Sequence, residues 1–258
     1  MATIRSIIGF LCTMLACATP AVDAIAQQGG TALSRSNSSL MVSVGPGTAA
    51  AALSWSTAYP IMRKLPGLKV GYGVRFTSFV AANKFYTTAP ARFTSPVQNL
   101  GTIFSETIEA NIDTITTATS FTNSVNLAIY IEYAVTPRLD AGFNIDAGGF
   151  SFGPRKQFNV ISSVFDANQS PVQTGAPTRF NLLLTSDNDI GSLNSEFYAR
   201  YWLKEHVGMS AGLTFLFSEY RLNKDLSFDN GRIINDRYRY KAAMLLIGFT
   251  YKMFNKFN

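Results

Sequence analysis

Large apolar residues alternate with small or polar ones, with a period of two, along much of this chain. From Val125 to Val135 every odd position is large and apolar, while Asn126, Ala128, Tyr130, Glu132 and Ala134 fill the even ones. Successive side chains of a strand point to opposite faces, so this run predicts a strand with one apolar and one polar face. After Thr136-Pro137-Arg138 the pattern resumes through Leu139, Ala141, Phe143, Ile145 and Ala147, which predicts a hairpin.

The same alternation marks further strands. Phe197, Ala199, Tyr201 and Leu203 oppose Asn194, Glu196, Tyr198, Arg200 and Trp202. Past the turn Lys204-Glu205-His206, Val207, Met209, Ala211, Leu213, Phe215 and Phe217 line one face, and Leu245, Ile247, Phe249, Tyr251 and Met253 do so in the last strand. Upstream, Leu68 to Phe76 and Leu53 to Ile61 form a pair linked by Arg63-Lys64-Leu65-Pro66-Gly67. A weaker strand, Ser38 to Val44, turns at Gly45-Pro46-Gly47 and brings the count to eight. Phe180-Asn181-Leu182 alternates briefly, and with such pieces ten strands is the alternative.

A soluble sandwich also alternates, so alternation alone does not fix the class. The strands run about 10 to 14 residues, longer than the usual five or six and suited to a tilted membrane crossing. Short connections at 62–67, 136–138 and 204–206 alternate with long ones near 87–121, 153–191 and 222–240. Tyr59, Tyr133, Tyr201 and Tyr251 fall near the short-turn ends of the apolar faces, where an interfacial girdle belongs. The expected fold is therefore all-β: a closed, antiparallel, up-and-down transmembrane β-barrel.

The N-terminus supplies an export signal. Arg5 precedes a short apolar stretch from Ile7 to Ala18, and Ala24-Ile25-Ala26 offers small residues at a cleavage site, so residues 1–26 read as a signal peptide and 27–258 as the barrel. That stretch is shorter than the roughly 20 residues of a membrane-spanning helix. Cys17 in a lipobox is the alternative, with Met14-Leu15-Ala16 a poor version of the motif. Both cysteines, Cys12 and Cys17, lie inside this segment, so the mature chain is expected to have neither disulfides nor thiolate-metal chemistry.

The mature pattern over residues 36 to 258 resembles the small outer-membrane barrel superfamily that contains the OmpA transmembrane domain and OmpX. Its best local part is Gly248-Phe249-Thr250-Tyr251-Lys252-Met253, which is similar to the C-terminal signal read by the barrel-assembly machinery. It departs from that signal at Leu246, where a polar residue is usual, and in ending on Phe257-Asn258. The resemblance implies an integral protein of the bacterial outer membrane, with long loops extracellular and short turns periplasmic. It implies the assembly machinery as a partner during biogenesis.

The polar faces carry Lys69, Arg75, Arg200 and Lys252 against Glu132, Asp140, Asp146 and Glu196. An eight-stranded barrel is just wide enough for side chains to fill, and buried charges must be paired, so these eight predict an ion-paired plug. The net charge of +6 reads, in an exported chain, as a surface for outer-membrane lipid and lipopolysaccharide instead of nucleic acid.

Chemistry is sparse. His206, the only histidine, falls in a short turn far from the long loops and reads as a solvated turn residue. Gly71-Tyr72-Gly73 resembles the start of a dinucleotide loop but sits inside a strand, where close packing explains it better. Asp187-Asn188-Asp189 with Gly191 resembles a calcium loop whose glycine comes one place early and whose closing glutamate is replaced by Tyr198. No catalytic, metal or cofactor site is expected. The function expected is a monomeric, non-enzymatic barrel with an envelope-structural or surface-interaction role; a narrow porin-like channel is the alternative and a lipid-modifying enzyme the third.

Overall fold

The computed structural model describes residues 36–62, 64–89, 114–161, 171–184, 188–228 and 233–253. The expected signal peptide lies outside the described residues. The order of elements is β1 (Ser36–Gly45), β2 (Thr48–Met62), β3 (Leu65–Thr88), β4 (Thr114–Thr136), β5 (Leu139–Phe152), β6 (Lys156–Ile161), β7 (Val172–Pro177), β8 (Phe180–Leu182), β9 (Asn194–Trp202), β10 (Val207–Phe228) and β11 (Ile233–Met253). All belong to one antiparallel sheet, and no helix occurs among the described residues.

Eight strands close on themselves. β1 pairs with β2, β2 with β3, β3 with β4, β4 with β5, β5 with β9, β9 with β10, β10 with β11, and β11 returns to β1 through Ser36↔Met253 to Val44↔Leu245. A closed ladder leaves no unpaired edge for another chain to extend. The β1–β2 turn needs a left-handed residue, and Gly47 supplies it at φ 62°. At Gly71 a Cβ would stand 2.0 Å from the Thr57 carbonyl oxygen, so the sequence Gly71-Tyr72-Gly73 serves the close approach of β3 to β2.

The sheet holds eleven strands instead of eight or ten, and strands enter each region expected as a long connection; 90–113, 162–170 and 185–187 of those regions lie outside the described residues. β3 and β4 run 24 and 23 residues, β10 and β11 run 22 and 21, so the described residues of 222–240 form a strand pair. Within 153–191 lie β6, β7 and the three-residue β8. These extensions close a second circuit above the first. β11 pairs directly with β3 at Tyr238↔Thr88, β4 with β6, β6 with β7 and β7 with β10 at Tyr220↔Pro177, which gives six strands in the upper ring.

Alternation missed these extensions because its sign reverses there. In the lower ring the outward positions are mostly apolar and the inward ones mostly polar. In the upper ring the inward positions are Tyr86, Ile115, Phe158, Tyr220, Leu222 and Tyr238, all buried in one cluster, while Arg221, Arg237 and Lys241 point outward. The change passes through Asn83, which has a φ of 53°, a conformation asparagine tolerates better than most residues.

Candidate functional site

The interior of the lower ring is largely polar, with Met41, Ala52 and Leu246 packed against Tyr198 as an apolar patch. Arg75 on β3 is 1% exposed and anchors the middle layer. Its Nε and Nη2 donate to Asp146 Oδ1 at 2.9 and 2.6 Å, and its Nη1 lies 3.2 Å from Glu196 Oε2. Nη1 also donates to Asn144 Oδ1, and Nη2 to the Asn194 carbonyl. Asp146 Oδ2 in turn accepts from Asn126 Nδ2 at 2.7 Å and from the Asn194 backbone at 2.9 Å. Glu196 accepts from Asn144 at 2.8 Å and from the Asn194 side chain at 3.1 Å. Two carboxylates thus face one guanidinium, and amides take the remaining lone pairs, as a low-dielectric site demands.

The layer nearer the short turns is cation–π in character. Arg200 Nη1 donates to Glu132 Oε1 at 2.8 Å, and the same oxygen accepts from the Tyr198 hydroxyl at 2.7 Å. The Arg200 guanidinium lies over the rings of Tyr198 and Trp202. Trp202 Nε1 donates to Asp140 at 2.7 Å, and Lys252 Nζ sits 3.6 Å from the centre of the indole. Lys69 pairs in register with Glu132. Of the eight charged residues, Arg75, Asp146 and Glu196 thus make up the middle layer, Glu132, Asp140 and Arg200 are buried in the one nearer the turns, and Lys69 and Lys252 are half-buried beside it.

Above the Arg75 layer, hydroxyls take over. Thr77, Thr122, Ser124, Ser192 and Ser218 line a small cavity with room for about one water, and Ser43 and Thr214 bond each other at 2.6 Å nearby. Next come Phe79, Leu216 and Met244, and then the aromatic cluster of the upper ring. Ion-paired, hydroxyl and aromatic layers thus succeed one another along the described interior.

Asn126, Asn144, Asn194, Tyr198 and Trp202 join this network although no charge marks them in the sequence. Their signal was present, since each shares the inward parity of the charged residues. Glu219, Arg237 and Arg239 gave no such signal. They occupy the outward face of β10 and β11, yet Glu219 is fully buried and Arg239 is 3% exposed. Glu219 accepts from Arg237 Nε at 2.9 Å, from Arg239 Nη2 at 3.0 Å and from the Gly191 backbone at 3.2 Å. Both arginines also donate to the Asp189 carbonyl. Segment 188–193 lies across this cluster where β9 has not yet begun, so the charges seal a break in strand pairing.

Outside the lower ring the surface is apolar. Leu245 (71% exposed), Ile247, Phe249, Leu127, Leu53 and Tyr72 lie open. On β11 this belt runs from Ala243, just below Lys241, to Tyr251, a span that fits a tilted strand crossing of about 9–11 residues. Tyr59, Tyr133 and Tyr201 are exposed at its short-turn edge, where Leu68 pairs Tyr133 and Leu139 pairs Tyr201. Tyr251 is half-buried there beside His206, whose Nε2 is 3.8 Å from Glu205.

Above the belt, burial raises the Tyr86 and Tyr220 phenols over their ordinary value. The Tyr86 hydroxyl donates to Ser120 at 2.6 Å and that of Tyr220 to the Phe121 carbonyl at 2.9 Å. Above about pH 10 the unfolded chain loses these protons while the folded one keeps them. The fold is therefore expected to lose up to about 1.4 kcal/mol per pH unit for each phenol. Urea midpoints measured from pH 9 to 12 check this. A slope unchanged in the Tyr86→Phe/Tyr220→Phe variant would count against it.

No family model matches the chain, and no curated protein matches it. Among the solved structures that resemble it at low identity are three bacterial outer-membrane proteins. Neisserial surface protein A is 8% identical over 84% of this chain and 94% of its own, with a TM-score of 0.32. The Ralstonia pickettii toluene transporter TbuX is 12% identical over 88% and 74%, with a TM-score of 0.20. A Pseudomonas aeruginosa FadL homologue is 10% identical over 80% and 68%, with a TM-score of 0.22. The functional reading stands on the chain's own geometry.

Proposed function

We propose that this chain is an integral β-barrel protein of the bacterial outer membrane with a plugged lumen and an envelope-structural or surface-interaction role. The carrying observation is the inversion of polarity between the two rings. A closed ring in water would turn its large apolar side chains inward; this lower ring turns charges inward and leucine, isoleucine and phenylalanine outward. Hydrocarbon is the solvent that such a surface fits, and a closed ladder meets its demand that every backbone group be bonded. Where the upper ring restores the polarity of a water-soluble protein, the barrel leaves the bilayer. On this reading the short turns and His206 face the periplasm, and the upper ring with its loops stands outside the cell.

The buried ion-paired and aromatic layers that cross the lumen favour a plug over a channel. His206 lies beside Glu205 and Tyr251 at a short turn. Fractionation with heat-modifiable gel mobility tests the address: a soluble secreted protein shows neither outer-membrane location nor the shift of a folded barrel. Purified protein in planar bilayers is expected to give no steady single-channel openings at neutral pH. Reproducible openings would make the narrow channel the better reading.

A further inference from the structure

The end of the barrel that carries the short turns is cationic. Lys64 in the β2–β3 turn, Arg138 in the β4–β5 turn and Lys204 in the β9–β10 turn are all exposed. Glu205 is the one exposed carboxylate among the described residues of these turns. Half-buried Lys69 and Lys252 add two more cations at the mouth of the lumen. The acids nearest to them are already engaged: Glu132 accepts from Arg200 and Tyr198, and Asp140 accepts from Trp202.

The position of these cations decides what they meet. Each exposed one follows a lipid-facing tyrosine by a few residues of chain: Lys64 after Tyr59, Arg138 after Tyr133, Lys204 after Tyr201. Aromatic rings of this kind settle at the level of lipid headgroups, and long basic side chains next to them reach the phosphates. The three turns are spread around the ring, not clustered on one flank, because they join β2 to β3, β4 to β5 and β9 to β10.

We infer that the short-turn rim of Lys64, Arg138 and Lys204 binds the headgroups of acidic phospholipids in the leaflet on that side of the membrane. The inference rests on the membrane reading above and deepens it: the barrel gathers a collar of anionic lipid at one end. A basic group near a membrane surface is worth enough to enrich an anionic lipid on the order of fivefold. The enrichment is electrostatic and is therefore screened by salt.

The test uses the full chain refolded into vesicles of phosphatidylcholine with one quarter phosphatidylglycerol, and reads the lipids retained on the protein by native mass spectrometry and by spin-labelled lipid. The expected result is a several-fold preference for phosphatidylglycerol at low salt that falls toward parity at about 1 M salt. In the Lys64→Gln/Arg138→Gln/Lys204→Gln variant the preference drops by more than half, whereas Arg221→Gln/Lys224→Gln at the other end leaves it intact. Heat-modifiable mobility verifies that both variants are folded. Equal retention of the two lipids by inserted wild-type protein overturns the rim, as does a preference that the triple variant keeps. Failure to float with vesicles of every composition overturns the membrane reading itself, and the rim with it.

Discussion

Replacing Arg75 with methionine is expected to remove roughly 3–5 kcal/mol of folding stability, the largest loss from any single change in the lower ring. The methionine fills much of the space but leaves Asp146 and Glu196 facing each other without a cation in a site closed to water. It also strands Asn144 Oδ1 and the Asn194 carbonyl, which the guanidinium satisfies. Breaking a buried pair from one side costs far more than deleting it whole, because the surviving charge keeps its desolvation penalty. The Arg75→Met/Asp146→Asn/Glu196→Gln variant is therefore expected to recover most of the loss. Urea unfolding in detergent micelles, followed by the folded gel band, measures both. A triple variant no more stable than Arg75→Met would show that shape, not charge, governs this layer.

Glu219→Ala is expected to cost about 3 kcal/mol, the low end for a broken buried pair, since Arg237 keeps 17% of its side chain in solvent. Its effect differs in kind as well as in size. Glu219 holds Arg237, Arg239 and the Gly191 backbone together, and segment 188–193 rests on that knot. Losing it frees this segment before the eight-strand ring opens, so a protease should cut near residues 188–193 in otherwise folded protein. Limited proteolysis followed by mass spectrometry locates the cut. Cleavage confined to the short turns, or the same resistance as wild type, would sink the idea that Glu219 seals the break where β10 passes from pairing with β9 to pairing with β7.

These two sites differ in how far the sequence reveals them. Arg75, Asp146 and Glu196 sit on the polar phase of long alternating strands, so their shared interior follows from parity alone. Their pairing does not: parity cannot say that Asp146 and Glu196 share Arg75, while Glu132 turns to Arg200. That choice depends on the stagger of strands around the ring, which sets the height of each side chain along the axis. Glu219 sits on the apolar phase and looks like a solvent-exposed residue until segment 188–193 is laid over it.

By itself the sequence determined the lower ring: its strands, its short turns, its apolar outside and its charged inside. It could do so because one environment, acting along the whole length of each strand, leaves a strict period of two. Only the tertiary structure decided where that environment ends. Above Lys241 the solvent outside and the filling inside exchange character, and the same alternation continues with its meaning reversed, so residues such as Tyr86, Tyr220 and Tyr238 look like loop aromatics in sequence. They become the packed core of a six-strand ring once β6 and β7 close the gap between β4 and β10. Which strands meet there is fixed by contacts between segments far apart in the chain, and a local periodicity carries no record of them.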